Sequence, residues 1–167
     1  MKDARFALGE SVVPLKAPVD SAGTAFATPY VSLKNALHAT FYYYMGVVTA
    51  TSADQNIVVT MEAATSAASS ATEVAFAFKY RLSGATGTDT LGAITSATAT
   101  GVSLDTTTAD GKMLIIDVDP AALEAVLVDA SHVRMVVAID AGGTVTLNAA
   151  WAVLDPAYPQ LTKQSAS

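Results

Sequence analysis

The chain has 167 residues, no cysteine, a net charge of −6 and a charged fraction of 14%. Its length suits a single domain with one core. The missing thiols exclude a disulfide framework and thiolate metal sites, and the acidity, with only nine scattered basic residues, argues against nucleic acid, whose phosphates demand a basic footprint.

Charged residues usually make up about a quarter of a chain. A deficit of this size points to a surface partly covered by neighbours, since interface centres are depleted in charge. The apolar character is mostly methyl groups, because alanine contributes 33 residues and threonine 20. The N-terminus, with Lys2, Asp3, Arg5 and Glu10, has no continuous apolar stretch of the secretory kind. Residues 35–53 carry no formal charge, but the polar residues and β-formers among them predict a buried strand with a turn, so no membrane span is expected.

In chain order, residues 1–35 are interrupted by Pro14, Pro18, Gly23 and Pro29 and predict an extended N-terminal arm with at most one edge strand. Val12, Val13, Leu15, Phe26 and Tyr30 are its apolar content. Two placements are open for them: against a second copy or a larger partner, which is the expectation, or across the chain's own sheets. From residue 36 to 157 the pattern is that of a β-sandwich. Leu37–Val48 turns Leu37, Ala39, Phe41, Tyr43, Met45 and Val47 to one side and His38, Thr40, Tyr42 and Tyr44 to the other. Tyr42 and Tyr44 therefore meet solvent, a second layer or a partner, and are candidate interface anchors. Asn56–Glu62 continues the period and is expected to pair with the preceding strand.

Residues 62–70 are expected as a loop. Glu73–Leu82 is the clearest strand, with Val74, Phe76, Phe78, Tyr80 and Leu82 on its apolar face. A weaker strand is expected within Thr90–Leu104. Asp105–Gly111 departs from a calcium loop, its glycine one place late and its closing glutamate missing, and predicts a turn into a strand at Lys112–Val118. Asp119 before Pro120 and AALEAVL has the form of a capped helix start, predicting one short helix over about 120–128. His132–Asp140 and Thr144–Leu154 flank Asp140-Ala141-Gly142-Gly143 and predict a hairpin. In it Val145, Leu147, Ala149, Trp151 and Val153 share one face, and Trp151 is expected to be largely buried opposite Phe76 and Phe78. Residues 158–167 predict a flexible tail.

Motifs for catalysis are missing: there is no phosphate-cradling glycine loop and no Gly-x-Ser-x-Gly elbow. His38 and His132 lie on the polar sides of their strands, outside metal-ligand spacing. Asp117 and Asp119 share a face, but strand termination and helix capping account for them better than a cation does. Binding and assembly are expected rather than enzyme activity, with no catalytic residue, cofactor or metal.

The Pro-interrupted arm (Glu10 to Ala36), the strand-rich Ala/Thr middle, KMLIIDVDPAALEAVL, HVRMVVAIDAGGTVTLNAAWAVL and the closing DPAYP together resemble, as a style of sequence, the small jelly-roll or β-sandwich head decoration and cement proteins of tailed bacteriophages. The resemblance implies an all-β fold, an antiparallel β-sandwich or jelly roll, and a homo-oligomer, favouring a trimer. It also implies the major capsid protein as partner and a place on the capsid surface after synthesis in the host cytoplasm. It transfers no individual residue. The alternative is a carbohydrate- or ligand-binding sandwich of a tail or fibre, with Tyr42 or Tyr44 as stacking platforms.

Overall fold

The structure, a computed structural model, describes residues 10–20, 24–50, 55–68, 71–145 and 147–157; the predicted tail at 158–167 lies outside them. In chain order the strands begin with β1 (Ser11–Val19), β2 (Phe26–Ala27), β3 (Val31–Ser32), β4 (Ala36–Tyr44), β5 (Val48–Thr49) and β6 (Asn56–Ala64). Then come β7 (Glu73–Phe76), β8 (Phe78–Leu82), β9 (Thr95–Ala97) and β10 (Val102–Asp105), followed by the single-turn helix α1 (Thr106–Ala109). The chain continues through β11 (Met113–Val118), helix α2 (Pro120–Leu123), β12 (His132–Ile139), β13 (Thr144–Val145) and β14 (Asn148–Pro156). Among the described residues no helix is long and apolar enough to cross a membrane.

Two antiparallel sheets enclose one core. The larger runs β1-β14-β4-β11-β8-β9. The smaller runs β10-β6-β12-β2, with β7 following β10 along β6 and β3 beside β2 along β12. A two-stranded ribbon of β13 and β5 stands apart. The antiparallel partners are nested from the outside inward: β1 with β14, β2 and β3 with β12, β4 with β11, β6 with β10. That nesting is the jelly-roll topology, with β7, β8 and β9 inserted between β6 and β10.

The alternation in the sequence predicts the buried side of most strands. Ala39, Phe41, Tyr43 and Met45 from β4 and its end, Ile57, Val59 and Met61 from β6, and Val133, Met135 and Val137 from β12 are fully enclosed. Phe76 and Phe78 are both buried, as their shared face requires. Asp119 caps α2 by accepting from the Ala121 amide at 2.9 Å, and Asp105 caps α1 through the Thr107 amide at 2.7 Å.

Strand partners differ from the sequence-based expectations. Glu73–Leu82 is not one strand: β7 pairs with β6 and β8 with β11, so the chain passes from one sheet to the other at Ala77. The Thr90–Leu104 region likewise splits into β9 and β10, one in each sheet. β4 and β6 are in opposite sheets rather than paired, and β12 and β14 form no hairpin. In a sandwich both sheets turn their apolar sides to the same core, so a chain crossing between them keeps its alternation and the pattern cannot report the crossing.

β14 also faces opposite to expectation: Ala150, Ala152 and Leu154 point inward and Trp151 points out. The pairing explains it, for Ala150 lies opposite Tyr43 and Ala152 opposite Phe41. Those two large rings already fill the interior at that level, and only small residues fit beside them. Leu147 is 63% exposed. The helix expected over 120–128 stops at Leu123 and gives way to turns. Only Leu123 is buried in it, and a helix this short needs more tertiary packing than one side chain to persist.

The predicted arm is part of the sandwich. β1 forms an edge of the larger sheet against β14, while β2 and β3 border the smaller one. The prolines that argued against a strand sit where an edge tolerates them: Pro14 is exposed, and the β1 register shifts between Pro14 and Lys16, so no interior ladder bond is lost.

Candidate interaction surface

The outer faces of the two sheets are built differently. On the smaller sheet Arg134 donates to Glu62 at 2.7 Å and to Glu73 at 2.6 Å. The Tyr30 hydroxyl also donates to Glu73, and the Arg134 guanidinium lies 4.8 Å from the centre of the Tyr30 ring. Its charges are matched within the chain.

The larger sheet turns outward an apolar and aromatic face. The register sets side chains in rows across five strands. One row reads Pro14, Trp151, Tyr42, Ile115 and Arg81, and the next reads Val12, Val153, Thr40, Asp117 and Lys79. On the far side of the first row, Tyr44 lies between Ala149 and Met113. At its centre the rings of Trp151 and Tyr42 stack with centroids 5.4 Å apart and planes 9° from parallel. Burial beside the indole, and then the carboxylates of Asp117 and Glu10, raise the Tyr42 pKa, so the hydroxyl stays protonated at neutral pH. Half-buried aromatic rings on a flat surface supply much contact area for little lost side-chain freedom.

The seven residues expected at an interface divide between this face and the chain's own packing. Val12, 53% exposed, joins Tyr42 and Tyr44 on the outer face. Leu15 is 7% exposed and belongs to the core, with Val13 packed against it. Phe26 meets the Tyr43 ring edge-on at 5.9 Å and lies under the Lys16 ammonium at 4.2 Å. Tyr30 is held by Glu73 and Arg134. Leu15 is thus buried in its own chain's core, which corrects its expected place at a contact between molecules, while Phe26 and Tyr30 also make contacts within their own chain. Sequence reasoning missed Pro14, Met113, Ile115, Trp151 and Val153; the alternating alanines at 150 and 152 were the available signal for Trp151.

No protein-family model matches this chain, and neither does any curated protein or solved structure.

A cleft of about 510 Å³ lies beside α2, lined among others by Phe76, Phe78, Leu123, His38, Lys79 and Asp117. His38 Nε2 is 3.4 Å from Asp117 Oδ1, which also accepts from the Thr40 hydroxyl at 3.2 Å. Both members of the His38–Asp117 pair are about half exposed, 46% and 47%. Among the described residues no three His, Asp or Glu side chains come together as metal ligands. His132 is buried, although it lies on the side of its strand that the sequence reads as polar, where surface or interface hydrogen bonding is expected. Its Nδ1 is 2.9 Å from Ser131 Oγ, and that hydroxyl donates to the Thr65 carbonyl at 3.0 Å. The serine oxygen is left to accept the Nδ1 proton. Burial, and then Lys34, lower the His132 pKa.

Proposed function

We propose that this protein is a structural component of a virus particle, a decoration or cement protein that docks on the major capsid protein and on sibling copies and catalyses nothing. The observation that carries the reading is the outer face of the six-stranded sheet, where Trp151, Tyr42, Tyr44, Ile115, Met113 and Val153 sit together, with Asp117, Lys79 and Arg81 toward the β8 side. Contiguous apolar surface of this kind marks interaction sites in soluble folds. The jelly-roll topology and the low charge content add support, because the same fold is common in capsid domains. Fold alone does not establish function, so the reading stands on the face. The decisive experiment is quantitative mass spectrometry, with immunogold electron microscopy, on purified particles from the source of the sequence. A fixed stoichiometry and surface labelling are expected. A chain missing from particles while abundant in the producing cells overturns the proposal.

The stacked Trp151–Tyr42 pair also suits a sugar ring, which favours the second reading, a glycan-binding module of a tail or fibre. Hits on a glycan array that vanish in Trp151→Ala and Tyr42→Ala, with no particle binding, select it.

A further inference from the structure

We infer that the cleft beside α2 is a binding site for a small, uncharged, apolar molecule. This use of the fold is separate from the docking face and independent of the particle reading.

The space follows from the local sequence. The chain changes sheet at Ala77, so Phe76 and Phe78 belong to different sheets, yet both border the cleft. Ala77, Ala97 and Ala122 also line it, and each sets a methyl where a larger side chain would take up the room. Helix α2 ends at Leu123, which leaves Val126 at the cleft with 39% of its surface exposed. Phe76, Phe78, Ala97, Val118 and Leu123 are core residues, none more than 7% exposed. The core thus comes to the surface around an open space instead of being closed over by side chains. Its volume of about 510 Å³ falls within the range of roughly 300–1,000 Å³ typical of small-molecule sites. Apolar walls around empty space lack partner atoms on one side, and a molecule of matching shape restores those contacts.

The polar lining sets the charge of the ligand. Lys79 stands opposite Asp117 across β8 and β11. Asp117 accepts from the Thr40 hydroxyl and lies 3.4 Å from His38 Nε2, while Asp119 accepts from the Ala121 amide. An anion drawn to Lys79 meets Asp117 on the next strand, about 4.8 Å away. A cation drawn to the aspartates faces Lys79 in the same cleft. Either ion meets its like there, and moving it from water to apolar walls costs energy that no unopposed partner repays. An uncharged apolar body carries neither penalty, and a hydroxyl or carbonyl on it can meet Ser96 or Lys79, which also line the cleft.

Titration of the full chain with N-phenylnaphthylamine, an uncharged fluorophore that brightens out of water, tests this. One saturable site per chain is expected, and the sulfonate-bearing form of the same rings should bind there about tenfold more weakly or worse. Ser96 on β9 and Ala122 on α2 are exposed lining positions, so Ser96→Trp and Ala122→Trp should each fill the cleft at little cost to the fold. Each should weaken binding about tenfold or more with an unchanged circular dichroism spectrum and Tm, and two fillers on different elements keep the test intact where one disturbs the packing. Trp151→Ser, on the docking face, should leave the affinity unchanged. The absence of saturable binding overturns the inference, as does binding that survives both fillers or is lost in Trp151→Ser. A sulfonate-bearing form that binds the cleft as tightly as the uncharged one overturns it too.

Discussion

Tyr43→Phe is expected to stabilise the protein. The Tyr43 side chain is 0% exposed, and its hydroxyl has no hydrogen-bond partner among the described residues. Burial pushes its pKa far above that of an ordinary tyrosine, the sign of a group shut away from water. Burying a hydroxyl without a partner costs about 1–3 kcal/mol on protein scales. Phenylalanine keeps the ring and its edge-on contact with Phe26 while removing only the oxygen. The gap left by one atom takes back part of the gain, leaving a net increase of about 1 kcal/mol, or roughly 2–4 °C in Tm for a chain of this length. Urea titration should show a higher midpoint at an unchanged m-value. A loss of more than about 0.5 kcal/mol would mean that the hydroxyl is satisfied, and the reasoning from its burial would fail.

Phe76→Ala and Phe78→Ala, on either side of the sheet crossing, should each cost about 3–5 kcal/mol in the same titration; less than about 1 kcal/mol for both would contradict their burial. Gly101→Ala should cost at least about 1–3 kcal/mol, because Gly101 has φ +89° and an added Cβ would lie 2.3 Å from the Val59 carbonyl oxygen, and a variant as stable as the parent refutes it. The lowered pKa of His132 means the fold prefers the neutral ring. Its contribution is therefore complete above the unfolded value of about 6.5 and is lost as pH falls through the folded value; stability measured from pH 8 to 5 should drop, and His132→Gln should flatten that part of the curve. Trp151, half-buried on the outer face, should fluoresce at a wavelength between buried and fully exposed indole and be quenched by iodide; complete protection in the monomer would place it inside.

The sequence showed which side of a strand is buried better than which strand lies beside it. Val133, Met135 and Val137 could be assigned to the core from alternation alone because a period of two is local. That β12 sits between β6 and the pair β2 and β3 depends on residues far away in the chain. Trp151 failed for a related reason: hydrophobicity favours its burial, but the space is taken by Phe41 and Tyr43, and volume across strands cannot be read along one of them. The edge strand β1 was hidden because Pro14 and Pro18 look like interruptions until the position at the rim is known. Tyr42 and Tyr44 were legible as outward rings, whereas the face they belong to takes shape only when β1, β14, β4 and β11 are set side by side.

The nested pairing also governs how the chain can fold as it leaves the ribosome. β14 lies between β1 and β4, so β1, made first, waits for a strand synthesised more than a hundred residues later. During that interval the edge of β4 that β14 will occupy stays open, and the aromatic row has no Trp151 beside Tyr42. Contacts so distant in sequence make folding slow and leave strand edges exposed meanwhile. The exposed edges are a template for pairing between nascent chains. Synthesis rate and chaperone supply should thus influence the yield of this protein more than the stability of the finished fold.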